Sequence, residues 1–220
     1  MIIEWLLPLH IAVLGYWLGS ELVINSTFRY VCAQPGIPIG ERNRLMGHVM
    51  TVDQHVRYAL VLQASLGPAI AIHYGYIPGG PAVANGFLAF GMLWLVFVEL
   101  IHRLRHGSQG HILAAIDRAS RYLLIALLLA TAIGLIGADW PMPGWLRLKL
   151  GLFAAVVACG VGIRFALIGL FRTWRVIQAE GSNTEREQSL RQGARHGTAI
   201  VCLLWLFIGA ITVISVWKPF

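Results

Sequence analysis

Three ionisable side chains lie inside apolar stretches of the chain, where they could bind a cofactor. His10 has no charged residue three or four positions away, His73 lies near the end of another apolar run, and Lys149 lies near the start of a third. Ionisable residues inside membrane-spanning segments are costly and commonly functional. Imidazole binds haem iron axially, and helical bundles hold haem between their helices. We therefore predict haem coordinated by His10, with His73 as the second ligand; the alternative is that each histidine only hydrogen-bonds a nearby carbonyl.

The segment Met46-Gly-His48-Val-Met50 offers softer ligands. Thioether sulfur and imidazole suit Cu(I) or a haem iron. If the segment is helical, Met46 and Met50 share a face while His48 points away from it. Met50 is thus a candidate metal ligand, and copper is the alternative to haem.

A second layer of ionisable side chains lies at the other ends of the same apolar runs. Its members are Glu21, Asp53, His55, Arg57, Glu99, His102 and Arg164. Opposite charges could neutralise one another there, for example Arg57 or Arg164 with Glu21 or Glu99. The layer serves either packing or a functional polar site, and both interpretations stay open.

An internal repeat includes part of this layer. The pattern Asp-x-x-x-Arg-Tyr-x-Leu occurs at residues 53–60 and again at residues 117–124. An aspartate and an arginine four positions apart share a helix face and can pair. The repeat indicates helical hairpins of common origin, whose charged pairs act either as helix anchors or as a polar ring around one mouth of a bundle.

Six long apolar segments indicate the fold class. They cover residues 2–24, 52–74, 82–101, 122–137, 146–171 and 198–217. About 20 apolar residues cross the roughly 30 Å hydrocarbon core of a bilayer, and the composition is 57% hydrophobic and only 12% charged. We predict an all-α, polytopic transmembrane bundle of about six helices with hairpin repeats, forming a single domain over residues 1–220. The polar segment 178–187 is expected to be a loop.

Basic residues concentrate in alternate gaps between these segments. Because lysine and arginine favour the cytoplasmic side of a membrane, we expect a multi-pass protein of a bacterial inner membrane with both termini in the periplasm. The seventeen basic residues against ten acidic ones follow from this bias, so nucleic acid is not indicated as a partner. The basic loops are expected to contact anionic lipid head groups.

Three short motifs resemble a known group of membrane proteins. His10, followed by Tyr16-Trp17-Leu18-Gly19, resembles the first helix of the CopD/HemJ-like proteins. Trp145, followed four positions later by Lys149, resembles the start of a later helix in HemJ-type protoporphyrinogen oxidases. The segment 19–31, together with Asp53 and Arg57, is similar to proteobacterial membrane proteins of the same kind. The resemblance covers parts of three helices.

This resemblance implies a b-type haem with His10 as its ligand and Lys149 as a functional, catalytic lysine. HemJ-type enzymes use haem and a respiratory acceptor to oxidise a tetrapyrrole, whereas CopD-type proteins are linked to copper uptake. The chain departs from both groups, since HemJ-like proteins have about four helices and CopD has more than six. It also lacks the methionine-rich outer face that copper handling would need.

Taken together, the residues and the resemblance favour an integral membrane haem b protein, with electron transfer or a haem-dependent oxidoreductase activity. Its electrons would pass to or from quinone or a redox partner protein. Two other functions stay open. One is a transporter or channel for ions, metals or small molecules, with the Asp–Arg pairs of the repeat at its mouth. The other is a non-catalytic anchor subunit of a larger complex, and a homo-oligomer is also open.

Overall fold

Six α-helices and no strand make up the part of the chain that the computed structural model describes, residues 2–104 and 110–219. The helices are α1 (Ile2–Ala33), α2 (Ile39–His73), α3 (Pro81–Leu104), α4 (Gly110–Ala132), α5 (Gly144–Glu180) and α6 (Thr184–Trp217). The predicted all-α bundle of about six helices is confirmed.

The helices form a closed ring in which each packs against its neighbours in the chain, and α6 returns to α1. The pairs α1–α2 and α5–α6 have the most extensive interfaces, while α3 and α4 touch only lightly. A central apolar core joins α1, α2, α5 and α6 through residues such as Trp17, Leu66, Val156 and Leu204. Thus α3 packs on α2 and α4 on α5, outside a four-helix core.

Four helices are long and apolar enough to cross a membrane: α1 from Glu4, α3, α5 and α6. Four of the six expected spans thus have the length and apolar composition that a membrane protein needs. The more polar α2 runs antiparallel to α1, because His55 lies beside Tyr16 and Gln63 beside His10. It therefore lies at the same depth as α1, and membrane crossing by α2 and α4 stays a prediction.

Four helices are far longer than a bilayer requires. α1, α2, α5 and α6 contain 32, 35, 37 and 34 residues, whereas about 20 suffice. The excess lies where α1 and α5 end and where α2 and α6 begin; we name this the basic end. There the four helices continue around a second core that includes Val31, Met46, Trp174 and Leu190.

The prediction of a loop over residues 178–187 is wrong, because α5 and α6 extend into this segment from both sides. α5 runs to Glu180 and α6 begins at Thr184, so that three residues connect them. The turn is made by Gly181 at φ 84° and by Asn183, whose side-chain oxygen accepts a 2.8 Å hydrogen bond from the backbone N–H of Arg186. Buried apolar side chains on both helices favour helix over loop despite the polar composition.

A buried ion pair connects the first turns of α2 and α6. Arg42 Nη1 and Nη2 donate to the two carboxylate oxygens of Glu187 at 2.7 and 3.2 Å. The Ser182 hydroxyl donates to Glu187 at 2.7 Å, and the Arg42 guanidinium lies 5.1 Å from the centroid of the Trp174 ring. The two charged side chains are only 2% and 4% exposed. Removing one partner of such a pair leaves an uncompensated buried charge, which costs about 3–5 kcal/mol.

We expect Arg42→Met to lower the thermal unfolding midpoint strongly, since it leaves the Glu187 carboxylate buried without its counter-charge. The matched control is Arg44→Met, two residues away, because Arg44 pairs with Glu41 on the surface with its side chain 78% exposed. Thermal unfolding in mild detergent, followed by circular dichroism, compares the two. Equal midpoints for the two variants would show that the Arg42–Glu187 pair does not hold the extension together.

Candidate functional site

The His10 imidazole lies on α1 against the surface of α2. A Cβ atom added at Gly67 would lie 3.9 Å from His10 Cε1, so the ring faces a place where α2 has no side chain. Gln63 Nε2 donates a 2.8 Å hydrogen bond to the His10 backbone oxygen and so ties α2 to α1 at this level. His10 Nδ1 is buried and has no hydrogen-bond partner among the described residues. Buried polar atoms are nearly always hydrogen-bonded, so an unpartnered one calls for an explanation such as a ligand or a bound water.

Lys149 and Lys218 bring positive charge to the same region. The Lys149 ammonium is within electrostatic range of the His10 imidazole, and Lys218 is within range of Lys149. Lys218 Nζ also lies 5.6 Å from the centroid of the Trp145 ring. Neither lysine forms an ion pair with a carboxylate in the described part of the chain. The end opposite the basic end thus combines an unpartnered imidazole nitrogen with two cations, an arrangement suited to a ligand with acidic groups.

His73 and Met50 lie away from this region. His73, whose Nε2 is also buried without a partner in the described residues, follows Gly67 by six positions. That spacing places it about 9 Å farther along α2 and about 120° around it. Met50 precedes Gly67 by 17 positions, or about 26 Å along the same helix. Met46, one turn before it, is buried in the second core, while His48 is exposed. Of these candidates, Lys149 is the one within electrostatic range of His10, whereas His73 faces another side of α2 and Met50 lies far along that helix.

Metal binding by protein side chains alone finds no support in the described residues. No group of three or more His, Cys, Asp or Glu side chains there could hold a metal ion. A haem remains compatible with this finding because a single imidazole can hold its iron.

A polar cluster joins α2, α4 and α5 nearer the basic end. Its centre is Asp117 of α4, whose side chain is 6% exposed. Arg121 Nη2, Arg57 Nη1 and Arg164 Nη1 lie 3.2, 3.8 and 3.9 Å from Asp117 Oδ2. Arg57 Nε also donates to Asp53 Oδ2 at 3.2 Å. Both Asp–Arg pairs of the sequence repeat therefore form, and Arg57 links one copy to the other.

The suggested pairing of Arg57 or Arg164 with Glu21 or Glu99 is wrong. Both arginines turn toward Asp117, which is buried between their helices. Glu21 is instead buried beside Trp17, whose Nε1 donates to it at 3.4 Å. The sequence repeat was the only signal for the role of Asp117, since nothing local indicated that this aspartate would be the buried one.

His55 and Glu99 belong to a row of polar side chains across α1, α2 and α3. The Tyr16 hydroxyl and His55 Nδ1 are 2.5 Å apart, and the His55 ring packs edge-to-face on Tyr58 with the centroids 6.0 Å apart. The Tyr58 hydroxyl donates to Glu99, which also accepts a 2.6 Å hydrogen bond from Arg103 Nε. The two tyrosines that complete the row were not expected from the sequence. Glu99 lies on α3, one turn from Arg103, which explains why it does not reach Arg57.

Comparison with known proteins adds no assignment: the chain matches no family model, no curated protein and no solved structure.

We expect Asp117→Asn to destabilise the fold by about 1–3 kcal/mol, because three partly exposed guanidinium groups then lose their shared buried carboxylate. The repeat supplies a matched control in Asp53→Asn, since Asp53 is 38% exposed and bound by Arg57 alone. Thermal unfolding of both variants in detergent measures the difference. A larger drop in the unfolding midpoint for Asp53→Asn than for Asp117→Asn would contradict the assignment of Asp117 as the centre of the cluster.

Proposed function

We propose that this chain is a b-type haem protein of a bacterial inner membrane, with the basic end in the cytoplasm, that takes part in electron transfer. The observation that supports the proposal is the His10 imidazole, half-buried among apolar residues with a buried nitrogen that no described residue satisfies. Its position beside Gly67, within range of the Lys149 cation, agrees with the roles that the CopD/HemJ resemblance implies for His10 and Lys149.

His10 would hold the haem through its imidazole. When bound, haem supplies one-electron redox chemistry whose potential depends on the axial ligand and on burial. Gln63 positions His10 through its backbone oxygen. Lys149 and Lys218 would bind acidic groups, either haem propionates or the carboxylates of a substrate. The apolar core around Trp17 and Leu66 would keep water from the imidazole.

The proposal assigns one protein ligand rather than two. His73 lies about 120° around α2 from the Gly67 surface, and Met50 lies about 26 Å away along the helix. His10 would thus be the one residue of this set that holds the haem, which suits a protein that reacts with a substrate or exchanges electrons with a quinone. The electron partner, a quinone or a redox protein, is part of the proposal.

A transport function is the second candidate, and the polar cluster around Asp117 is the observation that favours it. A buried carboxylate held by three arginines inside a helical bundle resembles the intramembrane ionisable groups of ion and proton pathways. Neutralising Asp53, the more exposed aspartate of the cluster, would reduce flux in a transporter. The same change would leave the absorption of a haem protein intact.

The test of the haem proposal is the absorption spectrum of the detergent-purified full chain, oxidised and then reduced with dithionite, with iron determined on the same sample. We expect a Soret band that sharpens and shifts on reduction, at close to one haem per chain, because His10 offers one axial ligand. His10→Ala should lose the band, since nothing then holds the iron.

His48→Ala is the matched control, because His48 is an exposed histidine of the extension and its loss should leave the spectrum unchanged. A colourless wild-type protein produced with ample haem supply would refute the proposal. So would a His10→Ala protein that keeps its full Soret band.

A further inference from the structure

A groove runs between α1 and α6 at the basic end of the molecule. It is a recess of about 460 Å³ that includes Arg191 and Arg195 of α6. The same two arginines also line a second recess of about 430 Å³ on the surface of α6 itself. Arg29 and Cys32 of α1 form the opposite wall, and Thr198 lies at the end nearer the apolar part of α6. We name this the α1–α6 groove. It lies far along the bundle from His10 and belongs to neither the His10 region nor the Asp117 cluster.

Three guanidinium groups line this groove without a counter-charge. Within the described chain, Arg29, Arg191 and Arg195 form no ion pair. The nearby carboxylate of Glu187 is within electrostatic range of Arg191, but Arg42 already binds both of its oxygens. Arg191 and Arg195 are four positions apart, where like charges destabilise a helix. An anion bound between the three arginines would remove this repulsion.

The groove continues into an exposed apolar surface. Leu22 precedes Arg29 by seven positions and Leu206 follows Arg195 by eleven, spacings that keep each pair on one face of its helix. Leu22 is 55% exposed and Leu206 is 70% exposed. α1 and α6 are also packed against each other less extensively than α5 and α6. A ligand with an anionic head and an apolar tail would therefore find complementary surface for both parts.

We propose that the α1–α6 groove binds the phosphate head group of an anionic phospholipid, whose acyl chain lies along the exposed surface between α1 and α6. Arginine forms bidentate, charge-assisted hydrogen bonds with phosphate oxygens, which suits these three side chains to a phosphate head group. The cytoplasmic leaflet, where the basic end is proposed to lie, carries the anionic lipids. The site does not depend on the haem proposal.

Native mass spectrometry of the full chain in detergent, titrated with dioleoylphosphatidylglycerol, tests this site. Each arginine near a membrane surface contributes roughly a fivefold gain in affinity for anionic lipid. We therefore expect Arg191→Gln/Arg195→Gln to weaken the first bound lipid about 25-fold. Arg29→Gln, on the opposite wall of the groove, should weaken it about fivefold, which tests the site without changing α6.

The matched control is Arg172→Gln/Arg175→Gln. It removes the same charge from the neighbouring helix at a similar height, as shown by the contact of Leu170 with Gly193, but neither arginine lines the groove. Retained lipid affinity in this control, with loss in the groove variants, would support the proposal. Equal loss in both double variants would overturn it, because net charge rather than the groove would then govern binding.

Two further outcomes would overturn the lipid assignment. One is equal binding of dioleoylphosphatidylcholine, which would remove the requirement for an anionic head group. The other is displacement of the lipid by millimolar inorganic phosphate, which would identify a site for soluble phosphate instead. We expect dioleoylphosphatidylcholine to bind more weakly than dioleoylphosphatidylglycerol. We also expect dioleoylphosphatidylglycerol to stay bound in millimolar inorganic phosphate.

Discussion

The need to neutralise buried charge organises this bundle. A charge in a low-dielectric interior is tolerated only when a counter-charge and hydrogen bonds accompany it. In this bundle, ion pairs between buried side chains lie where helices contact one another. Asp117 binds arginines from α2, α4 and α5. Glu187 binds Arg42 where α2 and α6 begin. These two carboxylates connect helices that are far apart in the chain, which apolar packing alone would orient less specifically.

His10 departs from this pattern, as does His73, whose Nε2 is also buried without a partner among the described residues. Polar groups elsewhere in the interior are mostly paired: Gln54 donates to a backbone oxygen of α3, Asn25 accepts from Thr198, and Arg147 donates to two carbonyls at the end of α4. The His10 imidazole keeps a buried nitrogen unsatisfied beside a glycine and within range of a cation. This unsatisfied nitrogen is the reason that we propose a ligand site at His10.

The sequence allowed prediction of the elements that depend on local pattern. Long apolar runs indicated helices because backbone groups in lipid must be satisfied within a segment. The Asp-x-x-x-Arg repeat indicated pairs because residues four apart share a helix face. The extension at the basic end was missed, since its polar surface conceals a narrow buried stripe that includes Trp174, Ile177 and Leu190. Arg42 and Glu187 are 145 positions apart, so no local pattern could reveal their contact.

Among the candidate site residues, some could likewise be identified from the sequence, while others depend on how the helices pack. An isolated histidine in an apolar run identified His10 as a candidate, but the approach of Lys149 depends on how α1 and α5 pack. The distance between Met50 and the His10 level became evident only when α2 proved to be one continuous helix of 35 residues. Because α2 is this long, Met50 lies far from the level at which His10 contacts the helix.

We propose that the unpartnered imidazole of His10 binds haem, and the nitrogen atoms of that ring can be observed directly. The most direct measurement is ¹⁵N nuclear magnetic resonance of the purified chain with labelled histidine, before and after one equivalent of hemin. Of the eight histidines, we predict that the His10 signal alone is strongly shifted or broadened at equimolar hemin. An unchanged His10 signal, or equal perturbation of exposed histidines such as His48, would contradict the account.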